Sequence, residues 1–297
     1  MANHYQGVAS GLTSDEKFVP ELWAEGIYKY FERKSLFRGL VDDYSALFGG
    51  SKKGDVVHIP EVALASAQDK TEGNDVQYDN TSSTETQLTV NKHKYVAKLF
   101  EDILAIQGNP DMISKYTRMM GETLSRQMDA DIWTELSGLN QSVTLSADDV
   151  LTADKFEEAL ANLGENDVPY MEGDTFMVVN PTLYADILNP SGGLAQYFVR
   201  ADAGGEGSGL RTGMVGSIYG IDVMMSNTLS TGGTATTISG AIFHRSSCAI
   251  AVQNDVRIQT EYSIDALGQK IVSDVLYGVK RLDDSDNIRG VKFTNVN

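Results

Sequence analysis

Apolar positions repeat most regularly over residues 109–138. Tyr116, Met120, Leu124, Met128, Ile132 and Leu136 succeed one another at i+4, the spacing of one helix face. Each such step overshoots a full turn by about 40°, so the stripe winds around the helix. The pattern predicts a helix over 110–138, roughly 40 Å long, that changes packing partner along its length. Asn109 suits the cap, Pro110 the first helical position and Asp111 the positive end of the dipole. Gly138 is expected to stop the helix in the left-handed conformation. Inside it, Gly121 costs about 1 kcal/mol against alanine.

Shorter segments flank this helix. Residues 1–17 carry few apolar side chains and read as a tail. From Pro20, Leu22, Trp23, Ile27, Tyr30 and Phe31 fall on one side of a short amphipathic helix, with Glu21, Glu25, Lys29 and Glu32 mostly on the other. Those mixed charges disfavour a membrane surface, and packing on the same chain or on a neighbouring subunit is expected instead. Thr152 is expected to cap a helix carrying Phe156, Leu160 and Leu163, stopped by Gly164; Thr175–Val179 reads as a buried strand, and Asn180-Pro181 opens another helix. Residues 145–150, 191–213 and 230–240 read as loops, and 215–225 as a hairpin turning at Tyr219-Gly220. Residues 241–252 form an apolar strand region. Val256, Ile258, Thr260, Tyr262 and Ile264 then alternate with polar residues as a half-buried strand should. Strands over 271–279 and 288–293 close the pattern.

One stretch stands apart. Val56, Val57 and Ile59 predict a strand ending at Pro60, and 87–99 a facing one, while residues 61–85 between them are polar. That segment holds Glu61, Asp69, Glu72, Asp75, Asp79 and Glu85 against Lys70 alone, a net charge of −5. A two-stranded arm with so little to bury is marginal in water. Either it is a solvated, flexible hairpin or it lies on another molecule.

Composition narrows the function classes. The 297 residues suffice for two domains, and 41% hydrophobic with 22% charged residues are globular values. With 24 Lys and Arg against 41 Asp and Glu, the net charge of −17 opposes broad nucleic-acid or anionic-membrane binding. No apolar run is long enough to span a bilayer, and residues 1–10 do not read as a signal peptide. Cys248 is the single cysteine, so no disulfide forms within the chain.

Candidate chemistry is sparse. Gly207-Ser208-Gly209-Leu210-Arg211-Thr212-Gly213 neither follows a strand nor opens a helix, which argues against a dinucleotide loop. His4, His58, His93 and His244 lack metal-ligand spacing, although His58 and His93 fall on facing strands of the arm and could approach each other. Asp283-Asp284-Ser285-Asp286 lacks the glycine and distal glutamate of a calcium loop and reads as a solvated turn. No catalytic, cofactor-binding or metal-binding residue is assigned, and no cofactor is expected.

Four phrases carry a family resemblance by their order: Gly54-Asp55-Val56-Val57-His58-Ile59-Pro60, Met177-Val178-Val179-Asn180-Pro181, Gly216-Ser217-Ile218-Tyr219-Gly220-Ile221-Asp222-Val223, and Leu276-Tyr277-Gly278-Val279-Lys280. Together with the polar arm and long helix, this order resembles the major capsid proteins of tailed bacteriophages. The resemblance implies an α+β chain of the Hong Kong 97-like fold. It would have an N-terminal arm at 1–50, an extended β-hairpin loop at 51–98 and a peripheral domain at 99–144 holding a spine helix over 110–138. An axial domain at 145–250 and return strands at 251–297 would complete it. The implied function is self-assembly of hexamers and pentamers into an icosahedral shell enclosing double-stranded DNA, without sequence-specific binding or membrane contact. The virion would be assembled in the host cytoplasm, and the implied further partners are separate scaffolding, portal and decoration proteins. Candidate inter-subunit contacts are Trp23, Ile27, Tyr30, Phe31, Lys52, Lys53, Asp69, Lys70, Glu72, Asp75, Tyr78, Asp79 and Glu85. Two alternatives stand beside this reading: an encapsulin-like compartment sharing the fold, and a soluble hydrolase or binding protein.

Overall fold

The computed structural model describes residues 36–48, 54–62, 67–73, 75–76, 78, 83–102, 112–146, 150–170, 173–188, 216–231, 238–285 and 287–295. All belong to one of two compact units of the chain, Lys34–Asn297. In chain order the first strands are β1 (Asp42–Asp43), β2 (Val56–Val62), β3 (Ser83–Thr89) and β4 (Lys92–Glu101). Helix α1 (Met112–Leu136) follows, then β5 (Gln141–Thr144), α2 (Ala153–Glu165), β6 (Thr175–Val179) and α3 (Pro181–Leu188). Strands β7 (Ser217–Ile218), β8 (Ile221–Met225), β9 (Ile238–His244), β10 (Cys248–Ser263), β11 (Gly268–Arg281) and β12 (Gly290–Thr294) complete the order.

The winding stripe of α1 is buried and does change partner. Met120 packs with Phe100 and Ile271, whereas Leu124, Met128, Ile132 and Leu136 join a larger core with Phe37, Val275 and Tyr277. Trp133 belongs to that core too, its ring 5.9 Å from that of Phe37. Asn109, Pro110 and Asp111 lie outside the described residues. The helix end differs from expectation, because Gly138 has no positive φ. Tight bonds from Gly138 N–H to the Glu135 carbonyl (3.0 Å) and from Leu139 N–H to that of Leu136 (3.1 Å) close it. A Cβ there would stand 2.8 Å from Arg281 Nη1, the far end of a flexible side chain that can move aside.

Two sheets share the interior. One has the order β1-β10-β11-β4, and the other β5-β12-β9-β6-β8-β7. The six-stranded sheet is buried on both faces: Val178, Ala241 and Phe243 meet the core of α1, while Met177, Val179 and Ile242 meet Phe156, Leu163, Leu183 and Ile187 from α2 and α3. Such a strand reads as a continuous apolar run, as β6 does. Tyr219 (φ 50°) and Gly220 (φ 84°) turn β7 into β8 as anticipated. Helix α2 passes Gly164 and ends at Glu165, where Asp167 (φ 55°) takes the left-handed conformation. The Thr152 side chain forms no cap; its hydroxyl meets that of Ser146 at 3.2 Å.

Other segments depart from the sequence reading for identifiable reasons. The strand expected at 87–99 is two strands, broken at Val90-Asn91: β3 pairs with β2, but β4 pairs with β11. Pro60 does not end β2, which runs to Val62 as an edge strand where a missing N–H is tolerated. The apolar region 241–252 is likewise divided by a 3-10 turn, Arg245–Ser247, into β9 of one sheet and β10 of the other. Residues 141–144 form β5, parallel to β12. The alternation over 256–264 is present, yet Ile258, Tyr262 and Ile264 are exposed, because β10 runs past the core beyond two register shifts.

Candidate assembly surface

The arm is built as an antiparallel pair, β2 with β3, in register from Val56 opposite Thr89 to Val62 opposite Ser83. Among the described residues it has no third strand. Its root is held by packing: Val57, Leu88 and Val90 are buried against Phe48, Ala249, Ala251 and Leu282. Gly278 on β11 lets the root approach closely, since a Cβ there would lie 2.3 Å from the Thr89 carbonyl oxygen. Val90 N–H donates to the Asp55 carbonyl (2.7 Å), and Gln253 Nε2 donates to that of Gly54 (3.0 Å).

Further out the arm turns polar. His58 Nδ1 lies 3.2 Å from Glu85 Oε2, with both side chains more than half exposed. The hydrogen bond from Gln87, and then His58, hold the Glu85 carboxyl below its ordinary range. Asp69, Lys70, Glu72 and Asp75 are all exposed. So are the large apolar side chains Val76 (58%) and Tyr78 (93%). Trp23, Ile27, Tyr30, Phe31, Lys52, Lys53 and Asp79, also candidate contacts, lie outside the described residues, as does the glycine-rich segment near 207–213.

A second exposed surface belongs to the four-stranded sheet. Tyr95 (70% exposed) and Leu99 lie on its open face, where cross-strand register sets Tyr95 beside Asp274 and Leu99 beside Lys270. Asp274 is buried and accepts from Arg257 Nε (2.7 Å) and Nη2 (2.9 Å), with His93 Nε2 at 3.1 Å. The Arg257 hydrogen bonds chiefly lower the Asp274 pKa, against the opposing effect of burial. His93 is thus committed to the sheet, and His58 to the arm. The two do not lie on facing strands: His58 stands opposite Gln87 and His93 opposite Leu276, because β3 and β4 are separate strands.

Three acidic or basic residues that sequence reading missed or misjudged hold these surfaces in place. Asp129, buried on α1, accepts the N–H groups of Leu36 (2.8 Å) and Phe37 (3.2 Å). Asp283, expected in a solvated turn, is buried and accepts the N–H groups of Asn140 (3.0 Å) and Arg289 (2.6 Å). Arg289 in turn reaches Glu61 on the arm (2.8 Å). Composition gave no signal for any of them, since each is one charged residue among many. A groove of about 450 Å³ lies between β3, the end of α1 and the end of β11. Glu135, Asp283 and Asp284 in its lining are set against Lys280 and Arg281. No group of three His, Cys, Asp or Glu able to hold a metal occurs among the described residues.

Among the described residues, large apolar side chains are thus exposed on the arm and on the four-stranded sheet, and comparison with known proteins identifies the family. A family model described as phage capsid protein matches residues 85–288, more than two thirds of the chain. The chain belongs to the phage capsid protein family. It is a structural capsid protein of the virion, not an enzyme, and its fold is of the Hong Kong 97 type. A solved structure from Mycobacterium phage Che8 is similar at 26% identity and a TM-score of 0.75, over 93% of this chain and 97% of that one. The acid-stable capsid of Helicobacter pylori bacteriophage KHP30 matches at 12% identity and TM-score 0.76, over 98% and 99%. The capsid of cyanophage P-SCSP1u matches at 16% identity and TM-score 0.74, over 95% and 94%. No curated protein sequence matches the chain. Capsid proteins work as multimers, and the encapsulin alternative is not favoured by this set of relatives.

Proposed function

We propose that this capsid protein assembles as hexamers and pentamers into an icosahedral shell around the double-stranded DNA of a tailed phage. The arm, residues 51–98 in its broadest extent, would lie over a neighbouring copy. The observation that carries this reading is the arm itself: a paired, anchored hairpin whose far part presents Val76 and Tyr78 to solvent. Two large apolar side chains on a poorly buried hairpin are more stable against another surface than in water. In this reading residues 1–50 form an N-terminal arm, and 99–144 a peripheral domain with α1 as its spine. Residues 145–250 form the axial domain, and 251–297 return to the peripheral one. The net charge of −17 favours a lining that does not adhere to packaged DNA and reads no sequence in it. Scaffolding, portal and decoration proteins are the expected separate partners, assembly takes place in the host cytoplasm, and no membrane or cofactor takes part.

The test replaces residues 67–78 with two glycines, leaving β2 and β3 intact. The expected product is a folded chain that forms no closed shells in negative-stain micrographs. Closed shells of normal diameter would refute the role given to the arm.

A further inference from the structure

Resting on that reading of the arm, we propose that Arg289 is its positioning residue: by gripping Glu61 it fixes the angle at which β2 and β3 leave the body. The arm has an apolar root at Val57, Leu88 and Val90. A root alone is a pivot. Glu61 lies four residues beyond Val57, about 13 Å further along the strand at ordinary strand rise, and there a second attachment occurs. Arg289 Nη2 donates to Glu61 Oε1 at 2.8 Å, and Asn287 Nδ2 donates to the same oxygen. Two attachments separated along a lever determine its direction, which one cannot do.

Arg289 is itself held on every side. Its N–H donates to the buried Asp283 (2.6 Å), and its carbonyl accepts from His244 N–H (2.9 Å). Nη1 donates to the Ser246 carbonyl at 3.1 Å, within the turn joining β9 to β10. Its side chain is 21% exposed and that of Glu61 30%. Exposed ion pairs contribute little because two free side chains must be ordered. Here two bonds fix the Arg289 backbone and a third, to the Ser246 carbonyl, already orders its guanidinium, so most of the freedom lost is that of Glu61. The direction of the arm is thereby tied to the junction between the two sheets and, through Asp283 and Asn140, to the end of α1.

Glu61→Ala tests this, with Glu85→Ala as control: Glu85 lies on the same hairpin and pairs within it, to His58 and Gln87. In hydrogen exchange on the unassembled full-length chain, Glu61→Ala should speed exchange in β2 and β3 about tenfold, the scale of one charge-assisted hydrogen bond. α1 and β9 should be unaffected. Glu61→Gln, which keeps the oxygen but not the charge, should give a smaller increase. Assembled Glu61→Ala particles should lose their single diameter, while Glu85→Ala changes neither readout. Unchanged exchange in Glu61→Ala, an equal effect of Glu85→Ala, or particles of one normal diameter would each overturn the proposal. Closed shells from the 67–78 replacement would sink the assembly reading instead, and leave the exchange result standing.

Discussion

Gly278 offers the sharpest test of how the arm is seated. A Cβ at this position would lie 2.3 Å from the Thr89 carbonyl oxygen, 2.9 Å from the Thr89 carbonyl carbon and 3.0 Å from Val90 Cα. All three are backbone atoms, so no side-chain rotation relieves the clash. Ordinary contact begins near 3.4 Å, and Gly278→Ala therefore drives the root of the arm back by about 1 Å. That movement loosens Leu88, Val57 and Val90 on Ala249 and Ala251. Overpacking of this kind costs about 1–3 kcal/mol, or a fall of roughly 2–6 °C in melting temperature for a chain of this size. The comparison variant is Gly138→Ala, whose closest clash is with the movable Arg281 side chain (2.8 Å) and whose backbone contact, Glu135 O, is at 3.2 Å. Thermal unfolding followed by circular dichroism should rank Gly278→Ala as clearly the more damaging. Particles formed by it should also be irregular, because the displaced root redirects the arm. If Gly278→Ala melts with wild type, or if Gly138→Ala is the worse of the two, the close seating of arm on sheet is refuted.

Two further outcomes follow from buried polar contacts. Tyr277 donates its hydroxyl to Asp131 Oδ2 (2.8 Å), and burial first, then that bond, raise its pKa. The folded chain keeps this proton where the unfolded phenol loses it, near pH 10, so the contribution is complete below that pH and is lost as pH rises above it. Tyr277→Phe should cost about 1 kcal/mol at pH 7, and urea titrations should show its gap from wild type narrowing above pH 10; a gap constant with pH refutes the assignment. Asp129→Ala leaves the N–H groups of Leu36 and Phe37 without this acceptor and should cost about 2–4 kcal/mol. Faster amide exchange over 36–41 is the expected sign, and unchanged exchange there would refute it.

Local periodicity carried much of the fold. The boundaries of β6, the turn at Tyr219-Gly220 and the winding stripe of α1 all follow from spacing. What spacing cannot convey is which partner a strand takes. The run 87–99 reads as one strand because neither Val90 nor Asn91 is a strong breaker, yet its two halves serve different sheets. The run 241–252 divides for the same reason, at His244 and Arg245, where the chain passes from one sheet to the other. Alternation over 256–264 marks two faces without saying whether either is covered. The arm was legible as a separate hairpin because a long acidic stretch between strands is unusual in itself. Asp283 and Arg289 were not, since their importance lies in backbone groups far away in sequence.

The placement of β12 has a consequence for how a copy matures on the ribosome. It is inserted between β5 and β9, and β11 between β10 and β4, so both sheets stay incomplete until residues 268–294 have been synthesised. A nascent chain has neither its finished flanks nor a seat for its arm, which rests against Gly278. Until those strands emerge, the edges of β5, β9, β10 and β4 that will receive them stay unpaired, so the sheets and the seat of the arm are completed together as the last step of synthesis.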